Sequence, residues 1–406
     1  MTDKNSLNHK AWKRFRRNKV AVFGLIVILA SFIMAVFAYQ IAPDNTPDAN
    51  EQTLSNALAP PLSRMGFIKI LKPKPAQQSS RFFSEVFLGT PSRYESVPIT
   101  AFRMKHEWVN VDVYKGLNRP TEERRYYYTD MIKNDSANNN HQVMRSLADM
   151  KKDDTISYNA AYTNIRKRVL NTMLPLERFW LGTDRFGRDI LSRLIIGSRV
   201  SLFVGLVAVL ISLLIGIVAG AVAGYFRGWI DAVILWIINV FWSIPTVLLA
   251  MGLYVGAGSL IESKLLLIFI AVGLTMWVEV ARIVRGQFIL VREFEYVTAA
   301  QSMGFGSART IFRHILPNII GPVIVVACAN FANAILIESG LSYIGLGVQP
   351  PTPSWGGMLS EYKNFIDSDK AFLALAPGFA IMVLVLAFNL VGNGLRDALD
   401  VKGKGE

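Results

Sequence analysis

Little in this sequence is arranged to make or break bonds. His9, His106, His141 and His314 are scattered, with no metal-ligand spacing such as H-E-x-x-H. Cys328 is the single cysteine and lies inside an apolar run, which excludes a disulfide within the chain and leaves no cysteine-based metal cluster. No serine stands in G-x-S-x-G, and no G-x-x-x-x-G-K-S/T offers backbone amides to a nucleotide phosphate. Gly345 and Gly347 form a G-x-G, but Pro350 follows where a dinucleotide loop needs glycine. The residues whose types and spacing do promise a task are Glu295 to Asn318, EYVTAAQSMGFGSARTIFRHILPN, and that task is mechanical. The stretch lies between two long apolar segments and is too charged to cross a bilayer itself.

Glu295, Thr298, Ala299 and Ser302 fall at helical spacing, so EYVTAAQSM is predicted to be a helix. Ala299 and Ala300 are small and let a partner's groove approach the backbone. Gly304 and Gly306 are expected to end the helix, because glycine takes the positive φ of a C-terminal cap. A basic segment follows with Arg309, Arg313 and His314, and Pro317 falls where the next apolar run begins, in a first turn that tolerates proline. Taken alone, these residues fit a lever held by another protein or a plain surface helix-turn-helix between two membrane spans.

The elements that must hold this stretch are membrane helices. The chain has 406 residues, 52% of them hydrophobic, and a mean hydropathy of +0.33. The apolar residues gather in runs of roughly 20, the length a helix needs to cross the hydrocarbon core. A net charge of +13 would suggest nucleic-acid binding in a soluble protein, but much of it here flanks apolar runs, as lipid headgroups and topology require. In residues 1–19, Trp12 and Phe15 interleave with Lys13, Arg14, Arg16, Arg17 and Lys19. This is either an amphipathic helix on the membrane surface or a positive-inside anchor, and both put the N-terminus in the cytoplasm. Val20 to Tyr39 is the first span; the long basic leader and the lack of a small-x-small site before Pro43 argue against a cleavable signal.

The second span is roughly Val200 to Ala223, where Gly216, Gly220 and Gly224 recur every four residues and favour close helix packing. The third, Ala232 to about Tyr254, contains Asn239, Ser243 and Pro245; the proline should kink it, and its polar side chains either line a pathway or join helices. The fourth is Leu265 to Val284, with Glu279 and Arg282 placed to pair near its cytoplasmic end. The fifth, about Ile319 to Ile337, carries Asn330 and Asn333. Between Glu338 and Lys370, prolines and glycines forbid a spanning helix, and Tyr343, Trp355 and Tyr362 suit an interfacial loop. The sixth span is Phe372 to Val391, followed by a basic, soluble end.

Gln40 to about Arg193 differs in composition. Pro60-Pro61 and Lys72-Pro73-Lys74-Pro75 read as extended linker. Trp108 to Tyr114 alternates as a strand with Val109, Val111 and Val113 on one face, while His141–Lys152 and Ala160–Leu174 have helical spacing. A small mixed domain is expected. In LGTDRFGRD, Leu181 to Asp189, Thr183 or Asp184 is expected to cap a helix starting at or just after Phe186. Six crossings from a cytoplasmic N-terminus put this domain outside and the Glu295 stretch and C-terminus inside. Arg282, Arg285, Arg292, Arg309 and Arg313 crowd the inner side, as the charge rule asks.

GTDRFGRDILSRLIIGSRVSL, EYVTAAQSMG with FRHILPN, ESGLSYIGLGVQPPTPSWGGML and LAFNLVGNGLRDALD together resemble the C-type permease of dipeptide and oligopeptide ABC importers, over about residues 10–42 and 180–402. In that family's coupling loop an EAA triplet precedes a glycine and a Leu-Pro pair. Here the triplet reads Thr298-Ala299-Ala300, then Gly304, then Leu316-Pro317; Thr298 stands where glutamate is usual, and Glu295 carries a charge three residues earlier. The resemblance implies an all-α integral membrane protein of the bacterial inner membrane, with six transmembrane helices of the type I ABC importer permease kind. A basic segment at 1–19, a first span at 20–41 and a permease core at 181–402 containing the coupling loop 286–318 would follow that pattern. The mixed α+β extracytoplasmic insertion at 42–180 departs from it, as a receptor-docking domain or a structural rim.

The resemblance further implies a second homologous permease subunit, a substrate-binding protein outside, and one or two cytoplasmic ATPase subunits gripping Glu295, Thr298, Ala299, Ala300, Gly304, Leu316 and Pro317. ATP would then be hydrolysed on partner subunits, with no cofactor, metal or catalytic residue on this chain and no nucleic-acid partner. Asn239, Ser243, Asn330 and Asn333 are the pore-lining candidates. Relatives also carry nickel, glutathione and other small solutes. Two other classes remain: an ion-driven secondary transporter, which would want an ionisable residue at mid-membrane, and a membrane anchor serving the insertion.

Overall fold

The computed structural model describes residues 7–72, 86–105, 108–116, 119–127, 163, 167 and 169–399. They fall into two compact units, one within Met1–Val36, Gly197–Ile366 and Ala374–Glu406, the other within Phe37–Ile196 and Asp367–Leu373.

The first unit is helical. Helix α1 (Leu7–Arg17) leads into α2 (Lys19–Val36). Phe15 is buried and stacks on the exposed Trp12, while Lys13, Arg14, Arg16 and Arg17 are exposed. Then come α3 (Ile190–Phe226), α4 (Gly228–Trp242), α5 (Thr246–Gly256), α6 (Lys264–Val291), α7 (Glu295–Ser302), α8 (Ser307–Tyr343), α9 (Trp355–Tyr362) and α10 (Phe372–Leu399). Five of these, α2, α3, α6, α8 and α10, are long and apolar enough to cross a membrane, and α4 with α5 passes the same test as a bent pair.

The glycine stripe sets the packing. A Cβ at Gly216 or Gly224 would come within 2.5 Å of Val280 or Phe288, and one at Gly220 within 2.5 Å of the Ala281 carbonyl. The three glycines therefore let the α3 and α6 backbones approach, and no larger residue fits. The partners advance together along both helices, so α3 and α6 run parallel. Helices joined in sequence and running parallel need a return crossing between them, and α4 with α5 supplies it. Asp231 and Asn239 of α4 meet Arg285 and Arg282 of α6 in reverse order, as a return demands. Counted with this bent pair, the described residues hold six apolar segments long enough to cross a membrane, the third of them broken.

That break corrects the expectation of a kinked third span. α4 ends at Trp242, Pro245 is extended (φ −54, ψ 129), and α5 leaves at 92°. Proline can offer no amide to α4, and its backbone turns the chain instead of bending a continuous helix. Arg282 also departs from expectation: its guanidinium donates to Asn239 Oδ1 at 2.8 Å and lies 3.3 Å from the Trp242 ring, so it does not pair with Glu279. α6 runs on to Val291, which places Glu279 near the middle of the helix and not at its end. Trp355 and Tyr362 are buried, so they pack the interior rather than sit at an interface; Tyr343 is exposed. Ser354 caps α9 by accepting from the Gly357 amide, and α10 continues past the expected span end at Val391 to Leu399.

The second unit holds a five-stranded antiparallel sheet, β1 (Ser63–Leu71), β2 (Tyr94–Met104), β3 (Trp108–Val113), β4 (Glu122–Tyr127) and β5 (Leu176–Phe179), in the order β4-β3-β2-β1-β5. Val109, Val111 and Val113 share a buried face with Ile68, Ile99, Val169 and Met173. Of the helix expected at 160–174, Val169–Met173 is a π-helical turn; the one expected at His141–Lys152, and Pro73 to Pro75 of the linker, lie outside the described residues. In LGTDRFGRD the helix begins later than expected, at Ile190. Asp189 Oδ2 accepts from the Ser192 amide and is the residue that caps it. Asp184 instead ties its own loop, accepting from the Phe186 and Arg188 amides and pairing with the buried Arg188 guanidinium at 2.6 Å. Thr183 accepts from the Ala59 amide and donates to the Asn56 carbonyl.

Candidate functional site

α7 hangs on a short turn at the end of α6. Arg292 closes α6 and donates to the Tyr225 carbonyl, and Arg227 donates to the Ile289 carbonyl at 3.2 Å and to Glu293 at 2.7 Å. Two turns inward from Arg292, Arg285 grips Asp231 bidentately at 2.5 and 2.6 Å. Planar two-point pairs of this kind fix orientation as well as distance. The end of α6 is thereby tied to the α3–α4 corner.

α7 itself ends in a cap that only its glycine permits. Gly304 has φ +78, its amide bonds the Gln301 carbonyl, and the Phe305 amide bonds the Ala300 carbonyl. This paired return is the Schellman arrangement. Gly306 has a different role from the one expected: at φ −63 and ψ 156 it is extended and opens the next helix. Phe305 stacks on His314, and the Arg309 guanidinium lies 4.9 Å from the same ring. α8 starts with an α turn, passes through a π-helical turn at Thr310–Ile315, and resumes as α-helix at Leu316 with Pro317 in its first turn. The Leu316 amide reaches back to Ile311, as the wider turn requires. Asn318 donates to the His314 carbonyl and to the Tyr296 hydroxyl, latching α7 to α8.

The faces of α7 are distinct. Val297 and Ala300 are buried, Val297 in one apolar cluster with Phe288, Ile311 and Ile315. Glu295, Thr298, Ala299 and Ser302 are exposed along the opposite side. Ala300 is therefore turned into its own chain and is not available to a partner's groove, whereas Thr298 and Ala299 are. Phe294, Met303 and Phe312 add exposed apolar area around that face, an arrangement suited to contact with another surface.

A cavity of about 330 Å³ lies at the α4–α5 break. Trp242, Pro245, Thr275, Glu279 and Asn333 line it. Of the four polar pore candidates, only Asn333 does. Asn330 is fully buried with its amide near the Met276 carbonyl, Asn239 is held by Arg282, and Ser243 donates to its own helix at Val240. Glu279 was not among the candidates. The signal that could have found it was a carboxylate among apolar neighbours, Met276 to Ala281, inside an apolar run.

Comparison with known proteins bears on this geometry. Residues 192–402 match the family model described as binding-protein-dependent transport system inner membrane component, and residues 6–61 match the N-terminal TM domain of oligopeptide transport permease C. The chain is similar to a dipeptide transport system permease protein of Alkalihalophilus pseudofirmus, 44% identical over 57% of this chain and 74% of the relative. It is also similar to an oligopeptide transport system permease protein of Salmonella typhimurium, 44% identical over 55% and 73%. A glutathione transport system permease protein of Pectobacterium atrosepticum is 40% identical over 57% and 75%. Among solved structures, a chain of an inward-facing methionine ABC transporter aligns with 52% of this chain and 97% of its own length at 15% identity and a TM-score of 0.44. With its family pattern matched over more than half its length and its apolar helices accounted for, the chain belongs to the binding-protein-dependent transport system inner membrane components, as a multi-pass inner-membrane permease subunit.

Proposed function

We propose that this chain forms half of the translocation pore of an ATP-driven importer of short peptides, and that separate ATPase subunits drive it through α7. The solute class is supported by the matched relatives, whose names give dipeptides, oligopeptides and glutathione, all of them peptides. A second, homologous permease subunit would complete the pore, and a substrate-binding protein would deliver the solute. α1, with its exposed basic side chains, is assigned to the cytoplasm; six crossings then put α7 and α10's end on the same side and the insertion on the other.

One observation carries the mechanism. α7 is latched to α8 by Asn318 and hangs from α6, and α6 bears Arg282 stacked on Trp242 beside the cavity. Closure of the ATPase subunits would displace α7 as a rigid piece. α6 would follow it, and the Arg282–Trp242 contact would carry the shift to the broken crossing. The cavity would then open to one side or the other, a shear of packed helices. No bond chemistry is asked of this chain.

The exposed Glu279, near the middle of α6, gives the ion-driven alternative its one supporting observation. Reconstitution with the partner subunits separates the two. Labelled dipeptide should enter vesicles only with ATP, and an ionophore should leave uptake unchanged. Uptake driven by a proton or sodium gradient without ATP would overturn the proposal.

A further inference from the structure

The second unit contains a cleft of about 430 Å³ that the transport mechanism does not use. This volume falls within the roughly 300–1,000 Å³ typical of small-molecule sites. Its floor is one face of the sheet: Phe67 and Lys69 of β1, Ser96 of β2 opposite Lys69, and Glu177 and Phe179 of β5. Its wall comes from the loops carrying Asp44, Glu51, Arg93 and Asp189.

Most of these polar groups are occupied. Both Asp44 oxygens accept from Thr46 and Glu51, Glu51 Oε1 accepts from Ser96 at 2.6 Å, and Lys69 pairs with Glu177 at 3.1 Å. The Arg178 guanidinium lies 4.1 Å from the Trp180 ring. Two are left over. Asp189 is 7% exposed and its Oδ1 has no hydrogen-bond partner, and the buried Arg93 Nε has none either. A buried acceptor and a buried donor left open cost free energy unless something fills them. Burial raises both the Glu51 and the Asp189 carboxyls above the ordinary carboxylate range, with Asp44 adding to each. A bound cation would relieve that strain. A metal ion is disfavoured, because no three His, Cys, Asp or Glu side chains among the described residues are placed to hold one.

We propose that this cleft binds a small zwitterion, its ammonium group against Glu51 and Asp189 and its carboxylate against Arg93, and that the ligand is a short peptide. The choice of peptide over free amino acid rests on the solute class proposed above; the zwitterion class rests on the two opposite open groups. The cleft is then a solute site distinct from the cavity at the α4–α5 break.

The test is calorimetric titration of the full-length chain in lipid nanodiscs with Ala-Ala, N-acetyl-Ala-Ala and Ala-Ala-amide. Saturable Ala-Ala binding is expected, at least tenfold weaker when either end is blocked. Glu51→Gln should remove the discrimination against the acetylated peptide and keep that against the amide, and Arg93→Gln should do the reverse. Misfolding cannot produce that crossed pattern. Absence of saturable binding, equal affinity for the three peptides, or wild-type behaviour in both variants overturns the cleft assignment. Peptide uptake by the assembled transporter is scored separately. Uptake without the crossed pattern would remove the cleft alone, and the pattern without uptake would remove the transport reading alone.

Discussion

Ala299 and Ala300 are adjacent and chemically identical, yet the structure gives aspartate opposite consequences at the two positions. Ala299 is exposed on α7, so Ala299→Asp costs the isolated chain little more than a helix-propensity difference, about 0.7 kcal/mol at most. Once an ATPase groove covers that face, the same carboxylate is buried without a partner. An uncompensated buried charge costs roughly 3–5 kcal/mol, and at about 1.4 kcal/mol per tenfold the ATPase subunit should bind roughly 100- to 4,000-fold more weakly. Ala300 is 1% exposed inside its own chain, so Ala300→Asp should instead lower the stability of the hairpin before any partner is added. The assay is paired. Affinity of the purified ATPase subunit for each variant in nanodiscs reads the contact, and the thermal midpoint of the variant alone reads the fold. Ala299→Asp should change the first and spare the second. If it binds within threefold of wild type, or if Ala300→Asp leaves the midpoint unmoved, the assignment of the two faces is wrong.

Gly220→Leu should destabilise the chain by roughly 1–3 kcal/mol or more, since its Cβ has no room against α6; Gly286→Leu, with nothing within 4 Å, should not. Equal loss of the thermal midpoint in both variants would refute the α3–α6 packing. Asp189→Asn tests the buried carboxyl. A carboxyl whose folded pKa is raised contributes stability at pH below its unfolded value, and that contribution is lost as pH rises through the folded value. Asparagine keeps an acceptor for the Ser192 amide without the charge, so the variant should outlast wild type at pH 8, with the gap closing toward pH 3. A gap that widens on acidification contradicts the desolvated-carboxylate account.

What the sequence made legible follows from periodicity. The glycine triplet at 216, 220 and 224 announced a close helix contact because a four-residue repeat keeps one face. Val109, Val111 and Val113 announced a buried strand face because a two-residue repeat does the same. Gly304 was readable as a cap because the left-handed region is nearly glycine's alone. The misreadings share another cause. Whether Pro245 kinks or breaks a helix, whether Ala300 faces in or out, and whether Asp184 or Asp189 caps α3 all depend on what packs opposite, which local pattern does not encode. Glu279 is misplaced for a simpler reason: the sequence pattern ends the span at Val284, just before Arg285, whereas Arg285 and Arg292 are accommodated by Asp231 and a backbone carbonyl at the helix's end.

The two helices that carry α7 are mechanically unequal, and this decides the direction in which force can travel. α6 has no proline and is largely buried inside the chain. From Arg282 to Val291 it offers a rod of about 14 Å at 1.5 Å per residue. α8 contains a π-helical turn directly before Pro317 and a second proline at Pro322. Each of these removes or lengthens a backbone hydrogen bond, which makes bending easier there than in an unbroken helix. On the proposed mechanism a push on α7 would therefore be transmitted along α6 to the Arg282–Trp242 contact and absorbed at the foot of α8. Were both helices rigid, the Asn318 latch would lock the hairpin; were both compliant, displacement of α7 would dissipate before it reached the cavity. One rod beside one hinge is the arrangement that lets a surface helix move a broken crossing.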